Sequence, residues 1–88
     1  MREEQTNEAE AIALAALGWI LEDASRASRL LALTGLTPEM LRARIGDPAL
    51  LAAALRFLEG HEPDLVGCAN DLGVAPLRLI ESRRRLES

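Results

Sequence analysis

Aromatic residues, lysine and cysteine are scarce in this chain of 88 residues. Trp19 and Phe57 are its only aromatic residues, so a hydrophobic core must consist mainly of leucine, alanine and isoleucine. No lysine is present, and the ten basic residues are all arginines, a bias that we attribute to coding. The single cysteine, Cys68, excludes an internal disulfide and fits a reducing cytoplasm.

Long apolar runs and an excess of positive charge are also missing. The longest apolar run, residues 11–21, is about half of the roughly 20 residues that a membrane-spanning helix needs. The N-terminus is acidic, whereas a signal peptide begins with basic residues, so we expect a soluble cytoplasmic protein. The formal net charge of -4 argues against a general affinity for nucleic-acid phosphates.

The length and the apolar content indicate one small domain. Apolar residues make up 49% of the chain, which is enough for a single core. We expect residues 1–6 to be a disordered tail and residues 7–88 to form one helical domain. Asn7, with Glu10 three residues later, fits a capping box at the start of the first helix.

Residues 47–60 carry the clearest helix signal in the chain. Asp47 is suited to cap the first turn, and Pro48 stands where its missing N–H is no loss. Leucines recur between them and Gly60 at helical spacing, and Phe57 widens the apolar stripe. We expect Gly60 to adopt the left-handed conformation that ends many helices.

A rhythm of glycine followed by proline divides the rest of the chain. Each of the four prolines follows a glycine that can end the preceding helix, and no segment alternates as a strand does. The pattern predicts a compact all-α bundle of five or six short helices joined by tight Gly/Pro turns. The predicted helices cover residues 9–21, 38–45, 48–59, 63–72 and 76–86, and one more helix is predicted to be capped by Asp23 and to run to Thr34. The predicted core contains Trp19, Leu31, Leu51, Leu55, Phe57 and Leu58.

Two details of the first two helices follow from the same pattern. Gly18 lies inside an apolar helix, and we expect it to permit the close approach of another backbone near Trp19. In the second helix, Leu30 and Leu31 should face inward, whereas Arg26 and Arg29 should face solvent.

The run from Arg29 to Leu58 resembles a small bacterial family known as domain of unknown function 3572. Its most specific parts are the Leu-Thr-Gly-Leu segment at 33–36 and the Asp-Pro pair at 47–48, and the resemblance extends from about Ala11 to Leu86. It implies a short helical protein typical of alphaproteobacteria. It implies no activity and no site residues.

Residues 65–86 match the spacing of a helix-turn-helix, with small Ala69 in the first helix and Gly73 in the turn. The presumed reading face at 75–77 is apolar and offers almost no donors to base edges. We therefore expect a structural hairpin, and we interpret the final arginine run as a solvated helix end. The alternative is a small DNA-associated factor, whose contacts would be Arg78, Arg83, Arg84 and Arg85.

Catalytic and metal-binding patterns are weak. Glu59, His61, Glu62 and Asp64 are close in sequence, but they flank a glycine and a proline and match no metal motif. Cys68 lies on an apolar helix face, which favours a buried thiol over a nucleophile. No P-loop, dinucleotide fingerprint or Ser/His/Asp arrangement is present, so we expect no enzymatic activity, no cofactor and no metal.

The favoured function is a non-catalytic module for protein–protein interaction. The helix at 9–21 is apolar on almost every face, which is typical of a central helix or of one that a partner covers. We therefore expect either an unknown protein partner or a homodimer. The candidate interface residues are Ile12, Leu14 and Trp19.

Overall fold

The computed structural model describes residues 2–88, with side chains from Asn7 onward. This part of the chain contains six α-helices and no strand. The helices are α1 (Arg2–Leu21), α2 (Ala24–Thr34), α3 (Pro38–Ala43), α4 (Pro48–Glu59), α5 (Glu62–Leu72) and α6 (Pro76–Glu87). The predicted all-α bundle is confirmed. The predicted tail at 1–6 lies outside the residues described with side chains, and Asn7 lies within α1 instead of capping it.

Side-chain caps begin three of these helices. Asp23 accepts a hydrogen bond from the Arg26 amide (3.1 Å) at the start of α2, and Asp47 accepts one from the Ala49 amide (3.0 Å) at the start of α4. Thr37 accepts one from the Met40 amide (3.1 Å) at the start of α3. These bonds satisfy amide groups that have no partner in the first turn of a helix.

The prediction that Gly60 is left-handed is wrong. Its φ is -75°, and its amide donates to the Arg56 carbonyl, so α4 ends without a change of hand. Gly35 and Gly73, at the ends of α2 and α5, do adopt left-handed conformations, with φ of 74° and 73°. The difference arises because α5 starts at once after α4, and the His61 amide simply continues the turn by donating to Leu58.

The centre of the bundle is formed by α1, α4 and α6, which pack against one another, while α5 covers one side. Five of the predicted core residues are buried, and Leu31 is partly buried against them. The larger side chains that are fully buried are Leu17, Ile20, Leu30, Leu51, Leu55, Leu58 and Leu79. Thus α4 supplies the middle of the core, as its apolar stripe predicts.

Trp19 joins α1 to α2 and α5 through polar as well as apolar contacts. Its Nε1 donates to Asp71 Oδ2 at 2.7 Å. The Arg26 guanidinium lies 3.6 Å from the centre of the indole ring and donates to the Trp19 carbonyl at 2.6 Å. The prediction that Arg26 faces solvent is therefore wrong, because the stacked ring and the carbonyl hold it against α1.

The close approach expected at Gly18 occurs at Gly67 instead. A Cβ at Gly67 would lie 3.4 Å from Cζ2 of Trp19, whereas a Cβ at Gly18 would meet nothing within 4 Å. Gly67 lets α5 approach the indole, and Gly18 is exposed on α1.

An ion-pair network ties the end of α6 to α4. Arg83 donates to Glu59 (3.1 Å from Nη2) and to Glu87 (2.7 Å), and Arg56 also donates to Glu87 (2.9 Å). The hydrogen bond from Arg56, followed by that from Arg83, lowers the pKa of the Glu87 carboxyl below its usual value. The interpretation of the arginine run as a solvated helix end is therefore wrong for Arg83, whose side chain is 15% exposed.

We expect Arg83→Gln to lower the Tm by several degrees, while Arg84→Gln, its matched control, changes it little. Arg83 bridges two helices, whereas Arg84 is exposed and has no carboxylate partner among the described residues. Thermal melts of both variants at low and high salt check this. Salt should narrow the difference in Tm between the variants only in part, since partly buried ion pairs are screened less than exposed ones.

The difference in Tm between Arg83→Gln and Arg84→Gln should also narrow in acid. Folding lowers the pKa of Glu87, because the carboxylate pairs with Arg56 and Arg83. The stabilisation by these ion pairs is therefore complete above the usual glutamate pKa, and it is lost as the pH falls through the lower pKa of the folded state. Equal melting temperatures for the two variants at neutral pH and low salt would contradict a bridging role for Arg83.

Candidate functional site

The predicted helix-turn-helix segment does fold as two helices joined at Gly73. Ala69 and Leu79 are buried between α5 and α6, as the motif requires. Ser82 is also buried, where an apolar residue is usual, and its hydroxyl donates to the Arg78 carbonyl at 2.8 Å. The hydroxyl is thereby satisfied within its own helix, which explains how a serine occupies this position.

The four arginines proposed for nucleic-acid contact do not form one basic surface. Arg78 pairs with Glu8 at 3.0 Å, and Arg83 is held by Glu59 and Glu87. Arg84 and Arg85 are exposed, with no carboxylate partner among the described residues. Half of the proposed phosphate contacts are thus engaged by carboxylates within the chain.

The proposed interface residues on α1 do not share one surface either. Trp19 is buried in the core, Ile12 is half-buried, and Leu14 is exposed. Since Trp19 faces α2 and α5, it has little surface left to offer a partner. The apolar character of this helix therefore reflects its central position, which is one of the two interpretations given above.

The carboxylates near His61 and the thiol of Cys68 are engaged in the fold. Glu59 pairs with Arg83, and Asp64 pairs with Arg29 at 3.0 Å, so these carboxylates point to different partners. No group of three or more His, Cys, Asp or Glu side chains among the described residues is arranged to hold a metal ion. Cys68 is buried, and its burial, with a smaller contribution from Asp71, raises the thiol pKa to about 11.

We expect Cys68 to react slowly with a thiol reagent at pH 8 in the folded protein and rapidly after denaturant is added. A buried thiol with a raised pKa supplies very little thiolate, which is the reactive form. Labelling followed by mass spectrometry checks this. Rapid labelling of the folded protein would show that Cys68 is accessible.

A concave and largely apolar surface lies between the end of α2 and the outer face of α4, and we call it the α2–α4 groove. Its cavity has a volume of about 440 Å³. Its lining residues are Leu33, Thr34, Leu36, Arg44, Asp47, Ala49, Leu50, Ala53 and Arg56. Pockets for small molecules and cofactors have volumes of roughly 300–1,000 Å³, and this volume falls in their range.

Local structure at the end of α2 creates one wall of the groove. The Thr34 hydroxyl donates to the Leu30 carbonyl at 2.9 Å, and left-handed Gly35 then turns the chain. Leu36 is thereby half-buried beside the groove, while Leu33 projects from α2 with 70% of its surface exposed. Of the large apolar residues described, Leu33 is the most exposed.

The opposite side of the groove consists of α4 and the segment that leads into it. Ala49 and Ala53 lie on the outer face of α4, and their small side chains leave the space open. Short helix α3 is anchored by Leu41, its one buried residue, and places Arg44 at the rim. A second cleft of about 610 Å³ continues beyond Ala53 and Arg56 toward Leu86.

Two of the three ionisable groups that line the groove already have partners within the chain, so the groove is suited to binding an apolar surface. Asp47 caps α4, and Arg56 is paired with Glu87. Arg44 alone of the three has no carboxylate partner among the described residues. No nucleophile stands beside a base in this lining, so the arrangement can bind and orient a partner but supplies no proton-transfer pair.

Sequence reasoning missed this groove. Leu30 and Leu31 already supply the inward face of α2, and Leu33 lies outside that face. An apolar residue on the outer face of a helix was the one sign of a binding surface that the sequence offered. The cavity itself has no sequence signature, because it depends on where α3 and the start of α4 are placed beside α2.

These helices define the protein as a small all-α bundle. The chain belongs to the family described as "Protein of unknown function (DUF3572)", whose model matches residues 6–88, and the resemblance noted in the sequence is confirmed. No curated protein matches the chain, and no solved structure does. Over the residues that the structure describes, none of the helices has both the length and the apolarity to cross a bilayer.

Proposed function

We propose that this protein is a cytoplasmic, non-catalytic module for protein–protein interaction, and that the α2–α4 groove receives an apolar segment of its partner. The observation that carries the proposal is the exposure of Leu33, 70%, at the edge of an apolar cavity. Burying a leucine side chain fully stabilises a structure by about 1.5–3 kcal/mol, so leaving it in water has a cost that a partner would recover.

The composition of the groove supports binding of a helix or an extended apolar segment. Leu36, Leu50 and the α4 alanines form an apolar surface, and Arg44 and Asp47 stand at its polar rim. Apolar centres with polar rims are typical of protein interfaces. Small residues on α4 would let a partner backbone approach closely, as in complexes that seat a helix in a groove.

The cytoplasmic part of the proposal rests on the lone thiol. A single buried cysteine and no possible internal disulfide suit a reducing compartment. The raised pKa of Cys68 also favours the neutral thiol over a reactive thiolate, which agrees with a structural role.

We expect no binding to duplex DNA at micromolar concentration in near-physiological salt. Arg78 and Arg83 are neutralised within the chain, and the net charge of -4 repels a phosphate backbone. A gel-shift assay of the wild type and of a variant with Arg83, Arg84 and Arg85 all replaced by Gln checks this. If the wild type shifts DNA and the variant does not, the DNA-associated alternative replaces the interaction module.

Photo-crosslinking from position 33 tests the proposed function. A photoreactive amino acid replaces Leu33 in one sample and Val66, which is 48% exposed on α5, in the control. After illumination in extract of the source cells, we expect a crosslinked protein from position 33 and none from position 66. Equal products from both positions, or none from position 33, would show that the groove is not a binding surface.

A further inference from the structure

We infer that the occupant of the α2–α4 groove is a second copy of this chain, held so that Leu33 of each copy enters the groove of the other. This inference rests on the proposed function and names its partner. A two-fold contact places the same surface of both copies face to face, so the surface must be complementary to itself.

The shape of the surface meets this requirement. The projecting leucine and the cavity that would receive such a side chain lie next to each other, since Leu33 itself lines the groove. A surface with only a projection or only a cavity would be complementary to a different protein and not to itself. A two-fold arrangement of two copies would place the Leu33 side chain of each one against the groove of the other.

The charges of the lining are also self-complementary. Arg44 and Asp47 are opposite in sign, and Arg56 is neutralised by Glu87, so the lining carries no net charge. The chain as a whole carries -4, so its excess negative charge lies elsewhere. Two copies would therefore meet where their repulsion is weakest, with Arg44 of one copy free to pair with Asp47 of the other.

A strongly charged partner fits the groove less well. An acidic helix would be attracted by Arg44 but repelled by Asp47. A basic helix would be attracted by Asp47 but repelled by Arg44. Each would leave one rim charge facing its own sign, which costs binding energy. A second copy satisfies both rim charges together.

The available area suggests a reversible dimer. A standard interface uses about 800 Å² of each partner, and the chain has an accessible surface of 5349 Å². The groove and the second cleft run along α4, a helix of 12 residues and thus about 18 Å long. A contact confined to this length would be small, so we expect a reversible dimer of micromolar affinity.

Sedimentation equilibrium from low micromolar to near-millimolar concentration tests the inference. We expect the wild type to form a reversible dimer and Leu33→Lys to weaken it roughly a hundredfold, because the ammonium would have to enter an apolar cavity. Lysine in the last turn of α2 is compatible with the helix dipole, so the variant should fold. Val66→Lys, the matched control, should dimerise as the wild type does.

A double-mutant cycle tests the predicted rim pair. The variants are Arg44→Gln, Asp47→Ser and both together, and serine keeps the cap of α4. We expect a favourable coupling between the two sites in the dissociation constant. Arg44 and Asp47 form no side-chain hydrogen bond or ion pair with each other within one copy, so any coupling in the free energy of unfolding of the monomer should be smaller than that in dimerisation. Absence of coupling in dimerisation would overturn the predicted pairing.

The outcomes separate this inference from the proposed function. A monomeric wild type throughout the concentration range, or a dimer that Leu33→Lys leaves unchanged, overturns the inference. Crosslinking from position 33 to a different protein also overturns it but supports the proposed function. A crosslinked product of twice the chain mass supports both, and no product from position 33 overturns both.

Discussion

Replacing Leu55 by alanine is expected to lower the free energy of unfolding by about 3–5 kcal/mol. Leu55 lies on α4 with none of its surface exposed, and it belongs to the core cluster of the bundle. The loss has two parts: the transfer of apolar atoms out of water is forfeited, and a cavity remains among side chains that cannot fully close it. A domain of this size has roughly 5–10 kcal/mol of total stability, so about half would disappear.

Urea unfolding followed by circular dichroism measures the effect, and Leu77→Ala is the matched control. Leu77 is the same residue type on a neighbouring helix, but 56% of its surface is exposed. We expect the control to change stability by less than about 0.5 kcal/mol. A loss below about 1.5 kcal/mol for Leu55→Ala would show that the centre of the bundle can collapse around the missing side chain.

Trp19→Ala is the second change with a large expected effect, also about 3–5 kcal/mol. The indole is buried, and three neighbouring residues contact it. Gly67 lets α5 lie against the ring, Arg26 stacks on its face, and Asp71 accepts from Nε1. Alanine would remove the ring and leave a large cavity at the junction of α1, α2 and α5.

The contribution of the hydrogen bond between Trp19 and Asp71 to stability can be measured separately. Trp19→Phe keeps a buried ring but removes the donor to Asp71, so we expect it to cost about 1–2 kcal/mol, much less than alanine. Asp71→Asn, which retains an acceptor oxygen, should cost less again. Stability measured by denaturant unfolding checks the order of the three variants. Equal losses for Trp19→Phe and Trp19→Ala would show that the hydrogen bond, and not burial, dominates.

Local signals in the sequence predicted the helices well. Asp23, Asp47 and Gly35 act through groups a few residues away, and each one performs the role that its position indicates. Gly60 shows where this reasoning fails. Glycine permits a left-handed ending but does not require it, and the immediate start of α5 at Glu62 decided otherwise.

Long-range partners account for the other corrections. Arg83 has the same sequence surroundings as Arg84, yet only Arg83 points toward Glu59, which lies 24 residues earlier in the chain. Gly18 and Gly67 likewise differ in what packs against them, and only the packing of α5 on Trp19 distinguishes the two. Periodicity places a residue on one face of a helix, but it does not identify the neighbouring helix.

From the sequence one can predict the helical class, most helix boundaries, the burial of Cys68 and the burial of the α4 leucines. These features depend on caps, turn residues and apolar spacing within about one helical turn. The placement of the helices beside one another instead determines the ion-pair network, the surroundings of Trp19 and the α2–α4 groove. The groove exists because α2, α3 and α4 leave a space beside Leu33 that no side chain of the described residues fills, and such a space depends on how the helices are placed relative to one another.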